Sequence, residues 1–165
     1  MRILGIDPGY AIMGYGVVEK QASSLRVVDY GVIETSKDEP FAERLERLYD
    51  GTRQLIMLYK PEAAVFEELF FCRNVTTAIS VGAGRGVAIL AAQKNALPMY
   101  EYTPMQIKMQ VTGDGRADKQ QVQQMVKLLL SLKETPKPDD AADALAAAIC
   151  HACMMKAAAE EFRMK

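Results

Sequence analysis

Four acidic residues lie where predicted elements end or begin, a pattern that suits metal-dependent chemistry. Asp7 follows the first apolar run of the chain, and Glu67 follows a later one. Asp140 and Asp143 open the last predicted helix, and their spacing of three residues places both on one face. Two carboxylates about 4 Å apart repel by roughly 4 kcal/mol at an effective dielectric of about 20. A divalent cation removes that cost, and oxygen ligands favour Mg²⁺ or Mn²⁺ over zinc.

Each acid also has an ordinary structural interpretation. Asp140 suits a helix N-terminus, because the helix macrodipole favours negative charge there. Asp7 could belong only to a turn, and Glu67 with Glu68 could form a solvated strand end. Taken one at a time, the acids therefore do not decide between a metal site and a structural role.

The elements that must position these acids follow from apolar runs and turn residues. Short runs rich in Val, Ile and Tyr predict strands over residues 2–6, 15–19, 25–33, 63–66 and 99–102. Helical spacing and cap residues predict helices over residues 41–59, 76–93 and 118–132, one beginning at Pro104, and a last one from Asp139 or Asp140. A hairpin followed by alternating strands and helices predicts an α/β fold. Its mixed sheet combines an antiparallel hairpin with parallel strands and has helices on both faces.

Length and composition limit the class of protein. The chain has 165 residues, half of them hydrophobic and a quarter charged, which is typical of one globular domain. No apolar run approaches the roughly 20 residues of a membrane helix, and the N-terminus lacks the long apolar stretch of a signal peptide. Three cysteines, an odd number, form no disulfide framework, so we expect a cytoplasmic protein without a membrane partner.

Charge is unevenly distributed although the net charge is −1. Residues 1–68 carry 8 basic and 12 acidic side chains, residues 69–137 carry 9 and 4, and residues 138–165 carry 3 and 5. A basic middle between acidic ends fits a phosphate-binding face beside metal-binding carboxylates, and chance surface variation fits it equally. The choice between them depends on the motifs.

Four motifs resemble, in order, those of the RuvC family of crossover (Holliday) junction endodeoxyribonucleases. They are GIDPG and GYG at residues 5–9 and 14–16, EELFFCRN at 67–74, GDGRADK at 113–119, and DAADALA at 140–146. The resemblance covers residues 1–153 as a nuclease domain and leaves residues 154–165 as a C-terminal helical tail. Its motif spacing favours Glu67 over Glu68 and Asp140 over Asp139. One departure is Met13, where relatives usually show threonine.

The resemblance implies a ribonuclease-H-like fold and a homodimer that makes paired, symmetric nicks in a four-way DNA junction during recombination and repair. It implies two Mg²⁺ ions per active site, with Mn²⁺ as a substitute, and cooperation with the RuvA–RuvB branch-migration complex. The catalytic, metal-binding acids would be Asp7, Glu67, Asp140 and Asp143. The DNA contacts would be Phe70, stacked on bases, Lys108 and Lys119, near the scissile phosphate, and Arg73 and Arg116, at further phosphates.

Three glycines inside predicted helix 76–93 need an explanation, because each costs about 1 kcal/mol relative to alanine. Gly82, Gly84 and Gly86 permit close approach of another backbone. The helix could therefore form a dimer interface, or it could pack tightly on its own sheet. The sequence leaves both interpretations open.

Cys150, His151 and Cys153 suggest a zinc site, but no second Cys/His pair exists to complete a tetrahedral set. We therefore expect no zinc there and expect both cysteines to be small, buried hydrophobic residues.

Two other functions compete with a nuclease. Phosphate-loop ATPases of the actin or sugar-kinase type also open with an apolar strand and Gly-x-Asp-x-Gly, but 165 residues are too few for their two domains. A non-catalytic DNA-binding module on the same fold is the second alternative. Retention of all four motif acids argues against it.

Overall fold

The computed structural model describes residues 1–69, 75–154 and 160–164, with residues 75–77 described by their backbone alone. The described strands are β1 (Arg2–Asp7), β2 (Ile12–Gln21), β3 (Ser24–Glu34), β4 (Ala63–Glu67) and β5 (Met99–Tyr102). They form one sheet in the order β3-β2-β1-β4-β5. β1, β2 and β3 pair antiparallel, whereas β4 pairs parallel with both β1 and β5.

Helices cover both faces of this sheet. The described helices are α1 (Phe41–Tyr59), α2 (Val75–Lys94), α3 (Pro104–Thr112), α4 (Lys119–Leu129) and α5 (Asp139–Cys153). α3, α4 and α5 contribute to an apolar cluster on one face, and α1 and α2 contribute to a second cluster on the other. The predicted α/β fold is therefore confirmed. None of the described helices is long and apolar enough to cross a membrane.

The crossover through α1 brings the ends of β1 and β4 together. α1 buries Leu48, Thr52 and Ile56 against the sheet, and it ends where Lys60 adopts a left-handed conformation before Pro61. The chain then returns parallel to β1, with Ile6 paired to Phe66. The residue after each partner is acidic, so this pairing fixes the position of two carboxylates at one edge of the sheet.

Two local predictions differ from the structure. α4 ends at Leu129, three residues before its predicted end, because the chain turns at Ser131, where φ is +52°. Cys150 is buried as expected, but Cys153 is exposed. The expectation for Cys153 is wrong because it is the last residue of α5, beyond the part of the helix that packs on the sheet.

The described end of the chain returns to β5. Glu160–Phe162 form a 3-10 turn, and the Met164 amide donates to the Met99 carbonyl oxygen at 2.9 Å. Arg163 forms an isolated antiparallel bridge with Tyr100. These residues therefore extend the sheet beyond β5.

Candidate active site

Helix α5 brings its first turns directly over the end of β1. Gly14 on β2 pairs with Asp7, and a Cβ atom at Gly14 would lie 2.0 Å from the Asp140 carbonyl oxygen. Gly5 on β1 likewise leaves room for α5, since a Cβ there would lie 2.0 Å from the Ala144 carbonyl oxygen. Only glycine permits this approach. The two glycines therefore place the acids of α5 beside Asp7.

The four predicted acids are close enough to perturb one another. Burial and, to a smaller extent, the charges of Asp143, Glu67 and Asp140 together raise the pKa of Asp7 from 3.8 to about 7. Burial and the Asp143 charge also raise the pKa of Glu67. Crowded, half-buried carboxylates of this kind are unfavourable in the absence of a cation. The structure thus brings together all four acids that the sequence singled out.

Two lysines face these acids from the α3–α4 side. Lys119 Nζ lies 3.1 Å from Asp143 Oδ2 and 3.2 Å from Asp139 Oδ2. Lys108, Lys119, Glu67 and Asp143 line one cavity of about 290 Å³. Both lysines partly offset the rise in the pKa of Glu67, because their positive charges favour its charged form. The cavity therefore combines carboxylates with cations that a phosphate group would contact.

The start of α4 fixes the position of Lys119. Asp118 caps the helix, accepting from the Gln121 amide at 2.9 Å, and the Gln121 side chain accepts in return from the Asp118 amide at 2.8 Å. This reciprocal cap places Lys119 at the first helical position. The preceding turn begins at Gly113, whose φ of +82° ends α3.

The neighbouring acids Asp139 and Glu68 make other contacts. Asp139 is exposed, and its bonds to Lys119 and Gln123 lower the pKa of its carboxyl group. The Glu68 amide donates to the Tyr102 carbonyl oxygen at 2.9 Å, which continues the β4–β5 pairing. Glu67 and Asp140 act on Asp7, whereas Asp139 and Glu68 are not among the charges that do, and the motif register stays a prediction.

The donor set suits a hard divalent cation. Its members are carboxylates, without His or Cys among them, which is the ligand chemistry of Mg²⁺ and Mn²⁺. Within residues 1–69, 75–154 and 160–164, no three such groups already stand in metal-binding geometry. Like charges repel, and Asp143 is paired with Lys119. Binding of a cation would replace that ion pair.

Comparison with known proteins identifies the family. The family model described as crossover junction endodeoxyribonuclease RuvC matches residues 3–151. The chain belongs to the RuvC family. RuvC of Desulfitobacterium hafniense is 59% identical over 152 residues, and RuvC of Brevibacillus brevis is 57% identical over 152 residues. Both alignments cover 92% of this chain and 92% of the relative.

A solved RuvC structure has the same fold. The structure of T. thermophilus RuvC in complex with Holliday junction substrate superimposes with a TM-score of 0.86 at 37% identity. It covers 93% of this chain and 94% of the other. The predictions of a ribonuclease-H-like fold and of a crossover junction endodeoxyribonuclease are confirmed.

The remaining predicted DNA contacts of this RuvC-family chain are less fully described. Arg116 is exposed in the turn between α3 and α4, where its amide donates to Asp114 Oδ1 at 2.9 Å. Phe70 and Arg73 lie outside the described residues. Met13, the departure from the family pattern, is buried, and its sulfur lies 3.7 Å from the Thr52 hydroxyl.

Sequence reasoning did not identify Gly5 and Gly14 as part of the site. Gly14 and Gly16 alternate along β2 and therefore lie on one face of the sheet. Glycines repeated on one strand face mark a close backbone approach. That pattern was the available signal for the position of α5.

Proposed function

We propose that this chain resolves four-way DNA junctions by paired, symmetric, metal-dependent nicks. The observation that carries the proposal is the convergence of Asp7, Glu67, Asp140 and Asp143, with raised pKa values for Asp7 and Glu67. A relative of the same fold was solved with a Holliday junction substrate. Family membership and a cation-requiring acid cluster therefore support the same activity.

The four acids would hold two Mg²⁺ ions, and Mn²⁺ would substitute because it accepts the same oxygen ligands. Bound in this way, the ions supply charge neutralisation at the phosphate and an activated water. Asp7 and Glu67 are fixed by paired strands, and Asp140 and Asp143 by the first turns of α5, so the ligands need little rearrangement.

Lys108 and Lys119 would contact the scissile phosphate from the cavity that they share with Glu67 and Asp143. Release of Asp143 by a cation would free Lys119 Nζ for that contact. The products would be a 5′-phosphate and a 3′-hydroxyl. Phe70 would stack on bases near the junction, and Arg73 and Arg116 would contact further phosphates.

Paired nicks require two active sites, and α2 offers a surface for a homodimer. Ile79, Gly82, Gly86 and Leu90 recur at helical spacing, with Ile79 67% and Leu90 47% exposed. A Cβ atom at Gly82 or Gly86 would have nothing within 4 Å, whereas Gly84 packs against the β1–β2 loop. We therefore assign Gly84 to internal packing and the other two glycines to the dimer.

Two further features of the proposal come from family membership. The chain would act with the RuvA–RuvB branch-migration complex, and its site of action would be the cytoplasm. The division into a nuclease domain of residues 1–153 and a tail of residues 154–165 stays a prediction.

The test is cutting of a synthetic immobile four-way junction in Mg²⁺, in Mn²⁺ and in EDTA, with linear duplex as a second substrate. We expect symmetric nicks in the junction alone and only with a divalent cation. Asp7→Asn should abolish them. Asp38→Asn is the matched control, because Asp38 is exposed and is not among the charges that perturb Asp7 or Asp143.

Two outcomes would contradict the proposal. Wild-type cutting rates in Asp7→Asn would exclude the acid cluster as the catalytic centre. Junction binding that survives EDTA, without cutting in Mg²⁺ or Mn²⁺, would favour a non-catalytic DNA-binding module. Binding of ATP with Mg²⁺ would instead favour a phosphate-loop ATPase.

A further inference from the structure

Arg44 is held in one orientation at the start of α1. Its guanidinium carbon lies 3.7 Å from the centroid of the Tyr10 ring, and its Nε donates to Thr35 Oγ1 at 2.9 Å. The Thr35 hydroxyl in turn donates to the Tyr10 carbonyl oxygen at 2.8 Å. Phe41 supports the same ring, with a centroid separation of 5.5 Å. Stacking and the hydrogen bond together fix the plane of the guanidinium.

The terminal amino groups of that guanidinium have no hydrogen-bonded partner within the described part of the chain, although its charge acts on Glu39. Among the residues that the structure describes, neither terminal amino group of Arg44 forms a hydrogen bond or an ion pair. Other arginines use these groups: Arg47 pairs with Glu39, and Arg85 pairs with Glu101. A fixed guanidinium with two free amino groups matches the bidentate geometry of a phosphate.

The position of Arg44 relates it to the acid cluster. Tyr10 and Asp140 line a common cavity of about 480 Å³ beside the β1–β2 loop. Arg44 stacks on Tyr10 and belongs to α1, whereas Lys108 and Lys119 belong to helices on the opposite face of the sheet. Arg44 is therefore a basic group on the α1 side of the sheet, next to a loop that borders Asp140, and the two lysines lie on the α3–α4 side.

We propose that Arg44 binds a backbone phosphate of the DNA strand that crosses the acid cluster, on the α1 side of the site. Lys108 and Lys119 hold the strand on one side of the acids, and Arg44 holds the next part of it on the other. Such contacts position the strand without reading its sequence. This inference rests on the proposed junction-cutting activity, because it assigns a further contact to the same substrate.

The test measures binding of the immobile four-way junction in EDTA over a range of salt concentrations. Arg44→Ala should weaken binding about tenfold. It should also lower the slope of log affinity against log salt by about one per protomer that contacts the junction. Arg47→Ala is the matched control, one turn along α1 and already paired with Glu39, and it should leave the slope unchanged.

Two further variants separate a phosphate contact from a structural role. Thr35→Val keeps the charge and removes the hydrogen bond to Nε, so it should weaken binding while it preserves the salt slope. Arg44→Lys should preserve most of the slope and lose affinity, because lysine cannot stack or bind in a bidentate manner. Melting temperatures of all variants identify any loss of folding.

A wild-type salt slope in folded Arg44→Ala would overturn the inference, and so would an equal loss of slope in Arg47→Ala. Failure of the proposed function would give a different result. In that case neither the wild-type chain nor any Arg44 variant would cut the junction in Mg²⁺.

Discussion

Helix α5 carries half-buried or buried ionisable side chains near both of its ends, Asp143 near its start and His151 near its end. At the start, acids face other acids, and burial together with like charge raises the pKa of Asp7 to about 7. The one cation in direct contact among the described residues is Lys119, which pairs with Asp143. This end of the helix is therefore under electrostatic stress until a cation binds.

The other end of α5 satisfies its buried polar groups internally. His151 Nδ1 and the Tyr102 hydroxyl are 2.7 Å apart, and the His151 ring lies against Tyr100 with a centroid separation of 4.2 Å. Burial lowers the pKa of His151 to about 4, while Glu160 opposes this shift and Lys20 adds to it. The ring is therefore neutral at physiological pH and has a hydrogen-bonding partner.

The comparison shows how one helix separates stability from function. Tyr102 bonds to His151 through its hydroxyl group, and its carbonyl oxygen accepts from the amide of Glu68 at 2.9 Å. The satisfied end thus fixes the strand edge that carries Glu67. The contacts of His151 at one end of α5 therefore stabilise the fold that keeps the acids close together at the other end.

The largest expected effect is on activity at the acidic end. Asp143→Asn should lower Mg²⁺-dependent junction cutting by roughly 10³-fold, because it would remove a ligand of the proposed metal site, and the metal contributes several kcal/mol to transition-state stabilisation. His151→Gln should cut at a rate close to wild type, since position 151 lies at the opposite end of the helix. Single-turnover cutting rates measure both.

Equal losses of cutting rate in Asp143→Asn and His151→Gln would contradict a separation of roles between the two ends of α5. That result would mean that α5 acts as one unit in which any internal change disturbs the acids. Circular dichroism under the assay conditions would verify that both variants are folded before their rates are compared.

The second effect is on stability at the satisfied end. His151→Phe should lower the free energy of unfolding by about 2–3 kcal/mol, because the buried Tyr102 hydroxyl loses its partner. Asp143→Asn is the counterpart at the acidic end. In EDTA it should cause no loss, because removing a half-buried charge and its repulsion with the other acids offsets the lost ion pair with Lys119. Urea unfolding in EDTA measures both values. A greater loss of unfolding free energy in Asp143→Asn than in His151→Phe would contradict the assignment of stability to the His151 end of α5.

Much of this architecture could be predicted because it depends on local patterns. The bounds of α1 and β5 agree with their apolar spacing, and the parallel pairing of β1 with β4 follows from the α1 crossover. Once that pairing holds, Asp7 and Glu67 must meet at one edge of the sheet. The acidic pair on α5 followed from its spacing of three residues.

Contacts between distant elements could not be predicted in the same way. The ion pair of Lys119 with Asp143 depends on how α4 packs against α5, and the partner of His151 depends on a strand 49 residues earlier in the chain. The stacking of Arg44 on Tyr10 likewise joins α1 to the loop between β1 and β2. No periodicity encodes such pairs, because packing between elements selects them.

The third effect is the pH dependence of stability. The pKa of His151 is about 4 in the folded chain and 6.5 when unfolded, so the unfolded state takes up the proton first as pH falls. Stability from the neutral ring is complete above pH of about 6.5 and is lost towards pH of about 4, with a loss of about 2 kcal/mol by pH of about 5.

His151→Gln isolates this contribution, because glutamine does not titrate and the acids at the other end are common to both proteins. The wild-type minus variant difference in unfolding free energy, measured in EDTA, should decrease between pH of about 7 and about 5. A difference that stays constant with pH would contradict a buried, neutral His151.

The smallest expected effect is on the stability of Asp140→Asn, and it tests whether Asp140 belongs to the acid cluster or only to the helix terminus. In EDTA, Asp140→Asn should leave the free energy of unfolding within about 0.5 kcal/mol of wild type or raise it. The substitution has two opposite effects on that free energy. Removal of the charge relieves repulsion with Asp7, whereas the first turn of α5 loses a favourable acid, worth about 0.3–1 kcal/mol.

Mg²⁺ distinguishes a ligand from a helix-terminal acid at this position. A cation at ten times its Kd should stabilise the wild-type chain by about 1.4 kcal/mol, which corresponds to a rise in Tm of roughly 3–6 °C. Asp140→Asn should lose most of that rise, while Asp139→Asn should retain most of it because Asp139 is exposed and is not among the charges that act on Asp7. A loss of more than about 1 kcal/mol in EDTA, with the Mg²⁺ response intact, would make Asp140 a structural residue of α5. Thermal unfolding of the three proteins, with and without Mg²⁺, therefore decides whether its charge serves the helix or the metal.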